Sequence, residues 1–257
     1  MTGPEVLPLE RQRRHTLAFL ANARTACPVY LDTEVDVSAL TAHQERVDRK
    51  YSVVSHVMRA LAQTFAEYPQ ANATLGGLRA DRVTRHRAVD VKLALDKTID
   101  GVRCAASAVV PDVGSMSLER IQDRVEYLRD TAAEDLDELA GIRALHRLPF
   151  TLARFAFAAA TRRAGTPPRM GTVSLSSLGH ADIGRFFSYG GTTVTIGLGR
   201  IRRKPVAVGD IGAEQIVVRP VLPLCLTFDH RVIDGALAAE VLSGIARRLR
   251  EFDGGQP

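Results

Sequence analysis

A histidine and an aspartate spaced four residues apart near the C-terminus are the side chains best suited to catalysis. Residues 229–235 read DHRVIDG, so a short segment separates His230 from Asp234. A neutral imidazole can take a proton from a hydroxyl or a thiol near neutral pH and return it later. We therefore predict that His230 is a general base, that Asp234 or a backbone carbonyl orients its ring, and that the backbone turns at Gly235. This arrangement indicates acyl transfer.

The pair alone is weak support for catalysis, because a histidine and an aspartate at this spacing also occur together by chance. A metal site is a weaker interpretation still, since no third ligand stands at a spacing typical of zinc. We therefore expect no metal at this site.

The flanking residues predict a strand before the pair and a helix after it. Residues 215–228 (QIVVRPVLPLCLTF) are rich in β-branched and apolar side chains, which is typical of an extended segment buried on both faces. Pro220 and Pro223 indicate an edge position or a bulge, because proline cannot donate to a β-ladder. After the pair, an apolar residue recurs at every fourth position: Leu237, Val241, Ile245 and Leu249. His230 is thus expected at a strand-to-helix junction, where it is held rigidly and can face a cleft.

A longer stretch around the pair resembles a known family. Residues 222–242 (LPLCLTFDHRVIDGALAAEVL) resemble the active-site segment of the dihydrolipoyl acyltransferases, the core components of 2-oxoacid dehydrogenase complexes. Other segments resemble that family in the same order along the chain: residues 28–37, 68–73, 90–95, 117–121 and 171–179. The family shares its fold with chloramphenicol acetyltransferase. The resemblance therefore implies an α/β fold, a chloramphenicol acetyltransferase-like mixed-sheet sandwich with helices, whose active site lies at a subunit interface.

The resemblance also implies roles for other residues. In that family a hydroxyl in the second catalytic segment stabilises the oxyanion of the tetrahedral intermediate, and the matching position is Ser176, with Ser177 and Ser174 as alternatives. Losing one such donor typically raises the barrier by roughly 2.7–4 kcal/mol. Without the resemblance, Ser-Ser-Leu-Gly would indicate only a turn. The G-x-S-x-G motif of hydrolases is absent, so we expect direct transfer rather than a covalent acyl-serine.

Two further features follow from the resemblance. Asp234 is expected to be largely structural and held by an arginine, for which Arg13 and Arg14 are the candidates. A homotrimer is expected, in which His230 of one subunit meets Ser176 of its neighbour, so that a monomer would be inactive.

The domain organisation predicts which acceptor receives the acyl group. With 46% apolar residues and no long linker, residues 1–257 are predicted to form one catalytic domain, with residues 1–10 and 252–257 as loose termini. We expect no lipoyl domain, no subunit-binding domain and no covalent lipoyl group in this sequence. The leading hypothesis is therefore an acetyl-CoA-dependent O-acetyltransferase acting on the hydroxyl of a small-molecule or carrier-bound intermediate, similar to those of tetronate-antibiotic pathways. The alternatives are acyl transfer to a lipoyl group on a separate partner protein and a non-catalytic assembly core.

The segment from Leu145 to Arg169 departs from the family, whose members have a shorter polar stretch there. Its apolar residues cover more than a narrow helical stripe and include Phe150, Leu152, Phe155 and Phe157. A helix packed on the protein's own core is the favoured interpretation. A helix that lines an acceptor channel or a subunit interface, and attachment to a membrane surface or a carrier protein, are the alternatives.

Charge and cysteine content exclude other classes of function. The net charge is +5, but the basic residues are spread along the chain and no nucleic-acid motif accompanies them. One basic group follows a predicted strand over residues 192–198 and is a candidate for binding the phosphates of coenzyme A, or is only a solvated loop: Arg200, Arg202, Arg203 and Lys204. Three widely spaced cysteines form neither a disulfide framework nor a zinc site. No signal peptide or membrane span is recognisable, so we expect a cytoplasmic protein.

Overall fold

The structure is a computed structural model, and it describes residues 4–76, 82–161 and 170–253. The strands in this part of the chain are β1 (Pro28–Asp36), β2 (Ala73–Gly76), β3 (Arg82–Arg85), β4 (Val91–Ile99), β5 (Val102–Val110), β6 (Val173–Ser177), β7 (Val194–Leu198), β8 (Arg202–Val208) and β9 (Gln215–Asp229). The α-helices are α1 (Arg14–Ala23), α2 (Ser38–Arg46), α3 (Val53–Glu67), α4 (Leu118–Asp130), α5 (Ala140–Arg147), α6 (Phe150–Thr161) and α7 (Gly235–Arg250).

Seven of the strands form one mixed sheet, in the order β1-β9-β7-β6-β4-β5, with β8 paired to the first half of β9. The pairs β4–β6 and β6–β7 are parallel, and the other pairs in the sheet are antiparallel. Strands β2 and β3 form a separate antiparallel hairpin. Because β6 runs parallel to β7 and β9 runs antiparallel to β7, the C-terminal ends of β6 and β9 lie at opposite ends of the sheet. This separates the candidate site residues that lie near these two ends.

The two faces of the sheet differ in chemistry. Because side chains alternate along a strand, one face of the sheet carries apolar residues of β1, β4, β5, β6, β7 and β9 and packs against α3, α4 and α7 to form the core. The opposite face, called the polar face below, carries a row of hydrogen-bonding side chains in register across four strands: Lys92, Ser174, Thr195 and Thr227. Buried hydroxyls of this kind require partners, and an irregular segment supplies them.

Residues 178–193 form that irregular segment and lie against the polar face. A Cβ atom added at Gly197 would come within 2.3 Å of the Phe186 carbonyl oxygen, and one added at Gly199 within 1.7 Å of the Gly184 carbonyl oxygen. Only glycine allows the segment to approach β7 this closely. The backbone of residues 178–193 therefore covers part of the polar face, and the two glycines leave the space that it needs.

Helices α1, α5 and α6 pack together on the side of the polar face. In the buried contact between α1 and α5, Nδ1 of His15 lies 2.8 Å from Nε2 of His146, and Nε2 of His15 lies 2.8 Å from the Ala105 carbonyl oxygen in β5. Helix α6 contacts α1 through the rings of Phe157 and Phe19, whose centroids are 6.5 Å apart. These contacts fix the position of α1 against the sheet.

The helix expected in the segment 145–169 is present as the end of α5 and all of α6, and residues 162–169 lie outside the described residues. Helix α6 packs on α1 and α5, and no described residue of α6 belongs to the hydrophobic core, so the favoured prediction of a helix packed on that core is wrong. Ala153 is buried, whereas Leu152 is exposed and Phe155 is 75% exposed. No described helix is long and apolar enough to cross a membrane.

The strand before His230 is only partly an edge strand. From Val221 to Asp229, β9 pairs with β1 on one side, and its residues 224–228 also pair with β7 on the other. Every residue from Val221 to Asp229 is buried, so the expected burial on both faces is confirmed there. Pro223 lies opposite Glu34 in this central part, and its carbonyl oxygen accepts a hydrogen bond from Gly199. The edge predicted from the prolines applies to residues 215–220, whose one strand neighbour in the described part of the chain is β8.

Candidate active site

His230 lies immediately after β9, in the turn that leads into α7. Its backbone N–H donates to the Cys27 carbonyl oxygen at 2.9 Å, which fixes the turn to the residue preceding β1. Its side chain is 48% exposed, and Nδ1 lies 3.8 Å from Oδ1 of Asp234. The structure thus brings the predicted pair together, with Nδ1 facing the carboxylate and Nε2 on the opposite edge of the ring. The separation exceeds that of a hydrogen bond, so the contact is an electrostatic one.

Asp234 occupies the N-cap position of α7, where a negative charge is favoured by the helix dipole. Its side chain is 89% exposed and makes no capping hydrogen bond. Gly235 begins α7 with an ordinary backbone conformation, and an added Cβ would meet no atom within 4 Å. The turn lies at residues 230–232 and Gly235 is already the first residue of α7, so the backbone turns before Gly235 rather than at it.

The two residues that flank His230 in the chain, Asp229 and Arg231, form an ion pair that was not predicted from the sequence. Asp229 is buried, and its carboxylate accepts hydrogen bonds from Nε of Arg231 at 2.9 Å and from the backbone N–H groups of Arg231 and Cys27 at 3.2 and 3.4 Å. Burial alone would raise the pKa of Asp229, but the hydrogen bonds and charge of Arg231 hold it below its ordinary value. The charge on Asp229 is therefore retained close to the backbone of His230. In the sequence, the aspartate and the arginine on either side of His230 were the signal from which this ion pair could have been predicted.

The three candidate serines differ in where they point along β6. Val173 and Leu175 lie in the core, so alternation places Ser174 and Ser176 on the polar face and Ser177 on the helix-covered face. Ser174 is buried and bonded to the Gly190 carbonyl oxygen at 3.3 Å and to Thr192. Ser176 is half-buried on the polar face, whereas Ser174 is buried and Ser177 lies on the other face. Ser176 is therefore the serine of the three that is both on the polar face and partly accessible.

Ser176 and His230 of one chain lie far apart. Ser176 pairs with Gly197, and Gly197 pairs with Cys225, which precedes His230 by five residues. At about 3.3 Å per residue and about 4.8 Å per strand, the two α-carbons are roughly 19 Å apart. Neither side chain is long enough for both to act on one carbonyl group. The two residues of a single chain therefore do not form a common site.

The arginines expected near Asp234 lie elsewhere. Nη1 of Arg14 donates to the carbonyl oxygens of His146, at 3.0 Å, and Leu148, and so joins α1 to the end of α5. Arg13 is exposed. Among the described residues, the basic side chain within 4.0 Å of the Asp234 carboxylate is that of His230. The predicted contact between an N-terminal arginine and Asp234 is thus not formed by Arg14 in this chain.

The basic group proposed for coenzyme A is divided. Arg202 to Lys204 belong to β8 rather than to a loop. Arg202 pairs with Asp182 at 2.9 Å, Lys204 pairs with Glu34 at 2.6 Å, and Arg203 is exposed. Arg200 instead lines a cavity of about 530 Å³ at the end of the sheet, together with Ser177, His180, Lys97 and Arg129. Of the four basic residues of that group, Arg200 is therefore the one that lines this cavity.

No cluster of three or more His, Cys, Asp or Glu side chains suited to a metal ion occurs within residues 4–76, 82–161 and 170–253. The three cysteines are free, and Cys225 lies buried in β9.

Solved structures share this architecture. Dihydrolipoamide acetyltransferase of Azotobacter vinelandii superposes with a TM-score of 0.69 at 22% identity, covering 97% of this chain and 92% of that one. A chloramphenicol acetyltransferase superposes with a TM-score of 0.54 at 16% identity, covering 94% and 96% of the two chains. The fold is therefore that of the chloramphenicol acetyltransferase-like acyltransferase cores, and the predicted fold class is confirmed.

The sequence comparisons define the family. The profile of the 2-oxoacid dehydrogenases acyltransferase (catalytic domain) family matches residues 2–140 and 168–254, and the chain belongs to that family. The lipoamide acyltransferase component of the branched-chain alpha-keto acid dehydrogenase complex of Pseudomonas putida is 28% identical over 97% of this chain and 53% of its own length. The chain spans about half the length of the curated relatives it matches. The unmatched residues 141–167 contain most of α5 and all of α6.

Proposed function

We propose that this chain catalyses acyl transfer between a coenzyme A thioester and a thiol of a dihydrolipoyl group attached to protein. The observation that carries the proposal is the half-exposed imidazole of His230 at the end of β9, with a carboxylate 3.8 Å from Nδ1, in a chain of this acyltransferase family. In the Azotobacter enzyme, the roles of a serine, a histidine and an asparagine four positions after the histidine have been studied in the catalytic mechanism. His230 and Asp234 have that spacing.

The proposed mechanism uses His230 as the base. Nε2 of His230 removes the proton from the incoming thiol, whose sulfur attacks the thioester carbonyl carbon. The hydroxyl of Ser176 donates a hydrogen bond to the oxyanion that develops on the carbonyl oxygen. When the intermediate collapses, the carbon–sulfur bond to the leaving thiolate breaks and the imidazolium returns its proton to that thiolate. Asp234 stabilises the imidazolium formed between these steps.

The separation of Ser176 from His230 supports a site shared by two copies of the chain. Because the two side chains of one chain cannot reach the same carbonyl, the base and the oxyanion donor must come from different subunits if both act. A homotrimer, as in the sequence analysis, supplies three such sites. Ser176 lies on the polar face, which is where a second subunit would have to approach.

The activities named for the curated relatives favour a lipoyl acceptor. The small-molecule hydroxyl, which was the leading hypothesis from the sequence, is therefore the less supported acceptor. The curated relatives are lipoamide or dihydrolipoyllysine-residue acyltransferases. A non-catalytic core is disfavoured by the exposure of the His230 ring, because an assembly element has no need of an accessible imidazole facing a carboxylate.

The acceptor can be tested directly. The purified protein is incubated with acetyl-CoA and either dihydrolipoamide or a panel of primary alcohols, and acetylated products are quantified by mass spectrometry. We expect a higher kcat/KM for dihydrolipoamide. Acetylation of alcohols without acetylation of dihydrolipoamide would instead support the O-acetyltransferase.

In the same assay, Arg200→Gln should raise KM for acetyl-CoA and leave kcat nearly unchanged if Arg200 binds its phosphates.

A further inference from the structure

Helix α6 turns an apolar side away from the rest of the chain. Its inner side faces the protein, because Ala153 is buried and the ring of Phe157 meets the ring of Phe19 in α1. The residues of the outer side follow one another at helical spacing and are all exposed: Thr151, Leu152, Phe155, Ala156 and Ala159. We call these five residues the α6 ridge. Leu152 is 54% exposed and Phe155 is 75% exposed, so the ridge carries two large apolar side chains in contact with solvent.

The helices that pack together around the ridge carry positive charge and no negative charge. Helices α1, α5 and α6 contain four arginines and no aspartate or glutamate. The sequence from residue 139 to residue 181 also contains no aspartate or glutamate. Of the four arginines, Arg147 and Arg154 are exposed, and Arg154 belongs to α6 itself. This part of the surface is therefore suited to an anionic partner.

The ridge is not part of what the family shares. The family profile matches the chain on both sides of residues 141–167 and leaves these residues out, and they contain all of α6. The acyltransferase fold therefore does not account for an exposed leucine and phenylalanine at this place.

Charge and polarity distinguish between the possible partners. Two copies of the chain that met through this surface would bring arginines together without carboxylates from these helices to pair with them, which is unfavourable. A folded protein partner would need hydrogen bonds across the contact, and the ridge offers one side-chain group for them, the hydroxyl of Thr151. An anionic bilayer surface needs neither, because its headgroups attract arginine and its acyl chains take up leucine and phenylalanine without a groove of matching shape.

We propose that α6 attaches this protein to an anionic lipid surface: Leu152 and Phe155 insert at the boundary between headgroups and acyl chains, and Arg154 lies among the headgroups. The helix lies in the plane of the surface, because its 12 residues extend only about 18 Å, less than the hydrocarbon core of about 30 Å. The attachment does not depend on acyl transfer by His230.

The first test is binding to vesicles. The protein is sedimented with vesicles of phosphatidylcholine alone and with vesicles of equal parts phosphatidylcholine and phosphatidylglycerol, at low and at high salt. A double variant, Leu152→Ser with Phe155→Ser, removes both large apolar side chains of the ridge. The matched control is Val218→Ser with Ile216→Ser, because these two side chains on β9 are 54% and 79% exposed.

We expect the wild type and the control to bind the vesicles that contain phosphatidylglycerol, and to bind them less at high salt because salt screens the attraction to the headgroups. The ridge variant should bind these vesicles at least about tenfold more weakly, since both inserted side chains are lost. Its oligomeric state and unfolding midpoint should stay close to those of the wild type, because both side chains are exposed.

A fluorescent probe gives a second readout that does not remove the ridge. The sequence contains no tryptophan, so Phe155→Trp introduces a single indole on the ridge, and Ile216→Trp introduces one at the control position. We expect the emission of Phe155→Trp to shift to shorter wavelength when vesicles with phosphatidylglycerol are added, and the emission of Ile216→Trp to stay unchanged.

Three results would overturn the inference. Absence of binding to either kind of vesicle would exclude a lipid surface and leave an acidic protein as the partner. Equal weakening by the ridge variant and the control would show that binding is not specific to α6. A short-wavelength emission of Phe155→Trp without vesicles, together with loss of oligomers in the ridge variant, would place a second copy of the chain on the ridge. None of these results bears on the proposed acyl transfer, which is assayed in solution without vesicles.

Discussion

Subunit complementation follows from the distance between Ser176 and His230. Two variants, His230→Ala and Ser176→Ala, should each be nearly inactive alone. Loss of a positioned base lowers the rate by roughly 10²–10⁴-fold, and loss of one oxyanion donor by roughly 10²–10³-fold. Because the two α-carbons of one chain are roughly 19 Å apart, the proposed mechanism requires each site to take its histidine and its serine from different chains. An oligomer that contains both variants should therefore regain some intact sites.

The expected recovery can be calculated for a cyclic trimer. In a trimer with two copies of one variant and one copy of the other, one of the three interfaces joins an intact histidine to an intact serine, whichever variant is in excess. Mixed trimers should therefore have about one third of wild-type turnover. A cyclic dimer would have about one half, so the same number also reports the oligomeric state.

The assay needs mixed oligomers of defined composition. The two variants carry different affinity tags, are produced together, and are purified on both tags in succession, so that every oligomer contains both chains. Turnover with acetyl-CoA and dihydrolipoamide is compared with that of each pure variant. Wild-type chains carrying the two tags and purified in the same way set the reference.

Turnover of the mixed oligomers no higher than that of the pure variants would refute the shared site. It would mean that the base and the oxyanion donor act within one chain, or that Ser176 is not the donor.

Two further predictions concern the serines and the buried histidine of α3. Ser176→Ala should lower kcat by roughly 10²–10³-fold in steady-state assays, and Ser177→Ala by much less, because Ser177 faces the helix layer; a greater loss at Ser177 would reverse the assignment. Burial lowers the pKa of His56 to about 4, so the unfolded chain binds more protons between about pH 4 and about pH 6.5 and stability falls as the pH is lowered. Denaturant unfolding should register a loss of about 2 kcal/mol from this group between about pH 7.5 and about pH 5, and His56→Gln should remove that part.

Local sequence patterns were enough to predict the elements that carry the site. The continuous run of apolar and β-branched residues before His230 and the four-residue apolar repeat after it correspond to β9 and α7. These features depend on neighbours in the chain, which the sequence displays directly. The resemblance to the acyltransferases added the fold, because its motifs recur in a fixed order.

Features that depend on strand order and on long-range contacts could not be predicted. The separation of Ser176 from His230 follows from the order β6-β7-β9 and the register of these strands, neither of which is visible in the sequence. The stacking of Tyr189 on Phe19 joins two distant segments, α1 and residues 178–193, that come together only in the folded chain. The family resemblance made Arg13 and Arg14 the candidates for holding Asp234, whereas carbonyl groups at the end of α5 take the hydrogen bonds of Arg14.

The central claim is that the imidazole of His230 removes a proton from an incoming thiol beside a bound thioester. The most direct measurement is the turnover of His230→Ala with acetyl-CoA and dihydrolipoamide, alongside its oligomeric state and its affinity for coenzyme A. We expect turnover to fall by roughly 10²–10⁴-fold while assembly and coenzyme A affinity stay close to those of the wild type. Near-normal turnover in a correctly assembled variant would contradict the account.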